Sequence, residues 1–251
     1  MNKDELYMLA MKLDLPNLLN LFQLCRRMNK ISSNYFWFDK LNLDFPEYSI
    51  LNLENSNKEI YIYLYKLNIL KIELKRKETI YELYNSKELY RSYDTIANVP
   101  KEIGLLSNLQ NLYLQRNMLT SIPKEIGKLT NLRILELFEN ELIEIPKEIG
   151  QLINLEHFYL NNNFLTNIPK EIGQLINLQC FSLAINQLTE IPKEIGQLQN
   201  LRSLSLEHNL LTSIPKEIGR LENLRYLYIF NNKLTEIPKE IEENNRISFY
   251  E

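Results

Sequence analysis

Two histidines and two cysteines are the only imidazole and thiol groups in this 251-residue chain, so any search for chemistry starts with them. Cys25 stands alone near the start, His157 and Cys180 are 23 residues apart, and His208 follows further on. A structural zinc takes four such donors, and His157, Cys180 and His208 supply three. There is no phosphate-cradling glycine loop, no Ser/His/Asp set and no isolated carboxylate pair. The residues therefore point to a chain that binds rather than catalyses, with no metal or cofactor. Two cysteines so far apart cannot form a disulfide framework and fit a reducing compartment, which makes the cytoplasm the expected location.

Composition narrows the partners. Hydrophobic residues at 45% and charged residues at 24% are ordinary for a folded protein. A formal charge of −3 with no basic stretch gives little to neutralise phosphates, so nucleic acid is disfavoured. The opening MNKDELYMLAMKLDLP lacks an apolar core before a small-residue cleavage site, so no secretory signal is expected. The most apolar run, residues 60–72, contains Lys66 and Asn68 and is too short to span a bilayer. A monomer without a membrane partner is expected.

The elements that must position any functional side chain are repeated ones. Pro100, Pro123, Pro146, Pro169, Pro192, Pro215 and Pro238 follow each other every 23 residues without an insertion, and all six glycines keep the same register. Between them runs L-x-x-L-x-L-x-x-N-x-L, as in Leu132, Leu135, Leu137, Asn140 and Leu142, with Phe158, Phe181 and Ile229 as apolar exceptions. Over residues 95–251 this resembles the leucine-rich repeat family of 23-residue type. The alternation L-x-L points leucines inward from a short strand, and stacked coils pair those strands in parallel. One coil cannot hide its leucines alone. The resemblance implies that Asn117, Asn140, Asn163, Asn186, Asn209 and Asn232 form a ladder bonding backbone groups that the turn leaves unpaired. Residues 86–100 read as a degenerate first coil. After Pro238 a polar closing turn is expected, with Ile247 and Tyr250 in inward register.

If the repeated positions are scaffold, information sits where the copies differ, mostly on strand positions facing the concave side. Tyr113, Glu136, Phe138, His157, Tyr159, Tyr226, Tyr228 and Phe230 are the expected partner-binding residues, because aromatic rings give large contact area at low entropic cost. At about 4.8 Å per strand, six coils present a sheet roughly 25 Å wide, which suits a protein or peptide partner. The seven Lys-Glu pairs on the opposite side cancel in charge and read as a solvated face.

Ahead of the coils, leucines 6, 9 and 13 begin a three-helix pattern ending near Trp37. Leu13-Asp14, Leu18-Leu19, Cys25-Arg26-Arg27 and Phe36-Trp37 make this segment, about residues 3–45, resemble the F-box, the helical module that docks on Skp1 in cullin-RING ubiquitin ligases. The resemblance implies docking through Leu13, Leu15, Pro16, Leu18, Leu19 and Trp37, with the coils acting as a substrate receptor. An F-box before leucine-rich repeats is a familiar order for such receptors, and the LDLPNLLNL phrasing is similar to F-box-like proteins of large DNA viruses, which would place the chain in a host cytoplasm. The alternative is a scaffold or signalling binder whose helices only cap the coils. Similarity to the repeat-type ubiquitin ligases of bacteria would make Cys180 a nucleophile, but those carry a large separate catalytic domain for which there is no room. Residues 46–85 lack Gly, and Ile60, Leu64, Leu67 and Leu74 are at helical spacing, so a helical connector is expected. The organisation read from sequence is therefore an F-box-like helical domain at 1–45, a helical connector at 46–85 and an α/β solenoid at 86–251.

Overall fold

The computed structural model describes residues 10–13, 16, 34–46 and 56–250, and the chain divides into two compact units, Met1–Tyr84 and Asn85–Glu251. In the first unit, helix α1 (Asn34–Asp44) runs past Trp37, where the sequence pattern ended. Leu41 and Phe45 continue its buried stripe from Trp37 at intervals of four residues. Helix α2 (Asn57–Glu73) packs against α1. It starts at a capping box, in which the Ser56 hydroxyl accepts from the Glu59 backbone N–H while the Glu59 carboxylate accepts from the Ser56 backbone. Ile60, Leu64, Leu67 and Leu74 are buried as their spacing predicts, together with Tyr61 and Leu70.

The expected connector helix is broken. Lys75 takes a left-handed φ of 49°, which a continuous helix cannot contain, and α3 (Ile80–Asn85) restarts behind a second reciprocal pair between Thr79 and Glu82. Lys40 in α1 is buried, yet its ammonium is partnered. It donates to the Met11 carbonyl at 2.6 Å and pairs with Asp44 at 2.8 Å.

The second unit is one parallel sheet whose strands succeed each other in chain order: β1 (Glu88–Tyr90), β2 (Asn111–Tyr113), β3 (Ile134–Glu136), β4 (His157–Tyr159), β5 (Cys180–Ser182), β6 (Ser203–Ser205), β7 (Tyr226–Tyr228) and β8 (Ser248–Tyr250). Each strand is three residues long, and from β2 to β7 its middle side chain is turned fully inward: Leu112, Leu135, Phe158, Phe181, Leu204 and Leu227 are all buried. Six 3-10 turns, from Lys101–Leu105 to Lys216–Arg220, form the other wall, and each follows its proline. A fully buried leucine contributes about 2 kcal/mol, so every coil adds several such increments, but only when its neighbours cover it. Phe158 and Phe181, two exceptions to leucine, lie on adjacent coils and stack on each other at 5.4 Å.

The asparagine ladder is present. Asn163 Oδ1 accepts from the Leu142 N–H, and its Nδ2 donates to the Leu137 and Leu160 carbonyls, all at 3.0 Å. A second ladder was not foreseen. Asn131, Asn154, Asn177, Asn200 and Asn223 each donate to a carbonyl 24 residues earlier, such as Asn154 to Thr130 at 2.8 Å. No glycine has a positive φ, so the glycines serve closeness and not torsion. A Cβ on Gly150 would lie 2.6 Å from the Glu171 carbonyl oxygen of the next coil. Left-handed backbone falls instead on the residue before each ladder asparagine: Arg116, Glu139, Asn162, Ile185, His208 and Asn231, at φ of 53–58°.

At the far end α4 (Lys239–Glu242) replaces the 3-10 turn. The last coil is one residue shorter, so Leu227 pairs with Phe249 and Tyr228 with Tyr250. Ile247 is buried as expected, but the inward register of Tyr250 is corrected: it stacks on Tyr228 and is 47% exposed.

Asn163→Ala strands the buried Leu142 N–H and leaves the Leu137 and Leu160 carbonyls with only the amides of Asn140 and Asn186, so it should lower the unfolding free energy by about 2 kcal/mol in urea titration, against under about 1 kcal/mol for the exposed Asn154→Ala. Ile185 is β-branched in a conformation that asparagine tolerates, so Ile185→Asn should raise stability by about 0.5–1 kcal/mol in the same titration.

Candidate functional site

Because the strands are parallel and in register, side chains on either side of the inward residue form continuous rows along the concave sheet. One row reads Asn111, Ile134, His157, Cys180, Ser203, Tyr226, and the next Tyr113, Glu136, Tyr159, Ser182, Ser205, Tyr228. A third row just beyond the strands contains Gln115, Phe138, Ala184, Glu207 and Phe230. The structure thus brings all eight expected partner-binding residues onto one face, half-buried between neighbouring coils except Tyr226, which is 49% exposed.

By side-chain size this face reads as a trough, high at both ends and low in the middle. At one end Tyr90 and Tyr113 stack at 4.5 Å, and at the other Tyr228 and Tyr250 stack at 4.9 Å, with Phe230 edge-on to His208 at 5.3 Å. His157 and Tyr159 lie parallel in between, at 6.4 Å. The floor around β5 and β6 is small: Cys180, Ser182, Ala184, Ser203 and Ser205. Aromatic walls with a low middle offer grip at the ends and depth at the centre.

Charge adds to this relief. Burial pushes the Glu136 carboxyl above its usual value. Burial does the same to Glu207, only partly offset by its own backbone N–H and by His208. The Cys180 thiol is also raised by burial, with Arg202 pulling it slightly back, so it is not an activated nucleophile. A hydrogen bond to Glu88 is the largest of the influences that push Tyr90 up to about 12. Three buried polar atoms here have no hydrogen-bond partner: Gln115 Oε1, His157 Nδ1 and Glu207 Oε2. Among the described residues no group of three or more His, Cys, Asp and Glu side chains could hold a metal ion.

Tyr90 and Tyr250 were missed as part of the face. Tyr90 stands 23 residues before Tyr113 and was legible by counting, whereas Tyr250 was hidden by the shortened last coil. Of the expected docking residues, Leu13 is half-buried and Pro16 exposed. Trp37 is buried against Phe36 and Tyr61, with the Lys58 ammonium 5.8 Å from its ring, so it acts from inside the helical core. Leu15, Leu18 and Leu19 lie outside the described residues. No helix among the described residues is long and apolar enough to cross a membrane.

Comparison with known proteins agrees with this architecture. Residues 123–244 match the model of a leucine-rich repeat region, and residues 108–129 match that of a single leucine-rich repeat. Among solved structures, a leucine-rich repeat protein of Leptospira interrogans is 37% identical over 69% of this chain and 57% of its own, with a TM-score of 0.48. The plant peptide hormone receptor RGFR1, solved in complex with RGF2, is 37% identical over 61% of this chain and 26% of its own, with a TM-score of 0.57. The chain thus spans about half of the first and a quarter of the second. No curated protein matches the sequence. The class that fold and matches define is the leucine-rich repeat solenoid, here preceded in sequence by a helical region.

The raised carboxyl of Glu207 has a consequence for stability. Its folded value exceeds the unfolded one, so ionising it costs stability once pH rises above the unfolded value, and the cost is absent below that value. Glu207→Gln should therefore hold or raise the melting temperature at pH 7. The difference from wild type should vanish below the ordinary carboxyl value of 4.5 in a pH series of thermal melts.

Proposed function

We propose that this chain is a protein-binding adaptor whose concave sheet receives a protein or peptide partner. The observation that carries the reading is the contrast between a scaffold repeated residue by residue and a concave face that varies, with aromatic side chains at both ends of one trough. The RGFR1 complex supports it, since a receptor of the same fold was solved with its partner bound. Nothing in the trough is arranged for bond-making, because its thiol is held neutral and its carboxylates stand apart on β3 and beyond β6.

The finer reading is that residues 3–45 dock on Skp1 while the concave face holds a target, making the chain a substrate receptor of a cullin-RING ubiquitin ligase in the cytoplasm. It is supported by the order Leu13-Asp14, Leu18-Leu19, Cys25-Arg26-Arg27, Phe36-Trp37 ahead of the coils. The second reading is that these helices serve only as a structural cap for a scaffold protein; the burial of Trp37 shows that they have a core of their own.

Two measurements test these statements. Mixed with purified Skp1 at micromolar concentration, the full chain should co-migrate on gel filtration, and separate elution removes the ligase role and leaves the cap. Tyr159→Ala combined with Tyr228→Ala should weaken binding of a partner captured by the wild-type chain by about 2 kcal/mol or more in calorimetry, while the melting temperature changes little. Undiminished binding would remove the concave face as the site.

A further inference from the structure

The trough holds buried polar atoms that none of its own donors reaches. Its three orphaned buried atoms include two oxygens that only accept, Gln115 Oε1 and Glu207 Oε2. Elsewhere in the coils the ladder asparagines satisfy the backbone, so the deficit is concentrated on the concave face. Glu207 sits between Ala184 and Phe230 in its row, and neither neighbour can donate from its side chain. Glu136 lies between Tyr113 and Tyr159. Among the described residues neither carboxylate has an ion-pair partner, although Arg133 on the coil of Glu136 and Arg116 on the coil before it pair with Glu156 and Glu139.

We propose that the trough binds an extended basic segment of its partner, one lysine or arginine donating to Glu207 above Ala184 and Ser205 and a second reaching Glu136. The inference rests on the concave-face reading and specifies the chemistry of what fits there. A buried carboxylate oxygen without a donor is costly, and a charge-assisted bond from a cation is the strongest way to satisfy it. The small floor at Ser182, Ala184 and Ser205 leaves depth for a long side chain. The neighbouring rings of Tyr228 and Phe230 give its methylene stem and charge a surface to lie on. From β3 to β6 is three strand spacings, about 14 Å, and Glu207 lies two residues, about 7 Å, further along than Ser205, the register partner of Glu136, so the carboxyls are about 16 Å apart, which an extended peptide covers in about five residues. The two cations should therefore stand about five positions apart. Burial, which already raises both carboxyls, makes each more responsive to an arriving cation.

The test is to pan a phage-displayed library of random dodecapeptides on the full chain and to measure the enriched peptides, made synthetically, by fluorescence polarisation. The expected result is enrichment of peptides with lysine or arginine about five residues apart. Their affinity should fall about tenfold in Glu207→Gln and less in Glu136→Gln, and should weaken with added salt. Replacing the peptide's own basic residues by glutamine should reproduce the loss. Glu207→Gln keeps the shape of the side chain and its melting temperature is read alongside, so a binding loss without a stability loss identifies a contact. Peptides that lose binding in Tyr159→Ala/Tyr228→Ala but carry no basic bias, or ignore Glu207→Gln, overturn this inference and leave the concave face as the site. If no peptide is enriched, or enriched peptides ignore the tyrosine changes, the concave-face reading falls and this inference with it.

Discussion

A coil of 23 residues holds more apolar side chains than its own turns can cover, and this one deficit governs the solenoid. Leu135 is dry because Leu112 and Phe158 lie against it on neighbouring strands, and each of those depends on its own neighbours in turn. Burial comes only from stacking, so every coil must present the same inward pattern at the same spacing. The tightness of that spacing explains the rest of the motif. Glycine stands where a methyl group would meet the next coil's carbonyl, and asparagine stands where the turn leaves backbone groups that no neighbouring strand reaches.

The same constraint produces the candidate site as a by-product. Parallel strands in register turn positions that are 23 residues apart into adjacent side chains, so residues remote in sequence become rows a few ångströms apart. On those rows the requirement for leucine is lifted, and aromatic, small and acidic side chains appear in an order of their own. Partial burial between coils then changes their chemistry: carboxyls are raised, a thiol is kept neutral, and two oxygens are left without donors. A scaffold whose turns are satisfied by ladder asparagines carries unpartnered polar atoms on its hollow side, and that contrast is what singles out the strip as the candidate site.

Where sequence reasoning succeeded and failed follows from the range of the forces involved. Strand positions, the asparagine ladder and the concave rows were legible because one local rule repeats, so register can be counted. Counting failed at Tyr250, where the last coil drops a residue and no repeat follows to reveal it. The second ladder, Asn154 and its equivalents, was invisible because its acceptors are backbone carbonyls of another coil and carry no residue signature. The break between α2 and α3 was signalled by Thr79 and Glu82, a capping pair that the leucine spacing overshadowed. That Trp37 packs against Tyr61 in the helical core was not legible from its place in a motif, because its partner comes from the next helix.

The sequence by itself determined the period, the inward face and the identity of the side chains offered on the hollow side, since each depends only on spacing along one chain. The tertiary structure alone decided which of those side chains are stripped of water. It placed Glu207 between an alanine and a phenylalanine from adjacent coils, stacked Tyr228 on Tyr250, and set Ile185 in a left-handed backbone. Desolvation and stacking are properties of neighbours, and in a solenoid the neighbours are a full coil away.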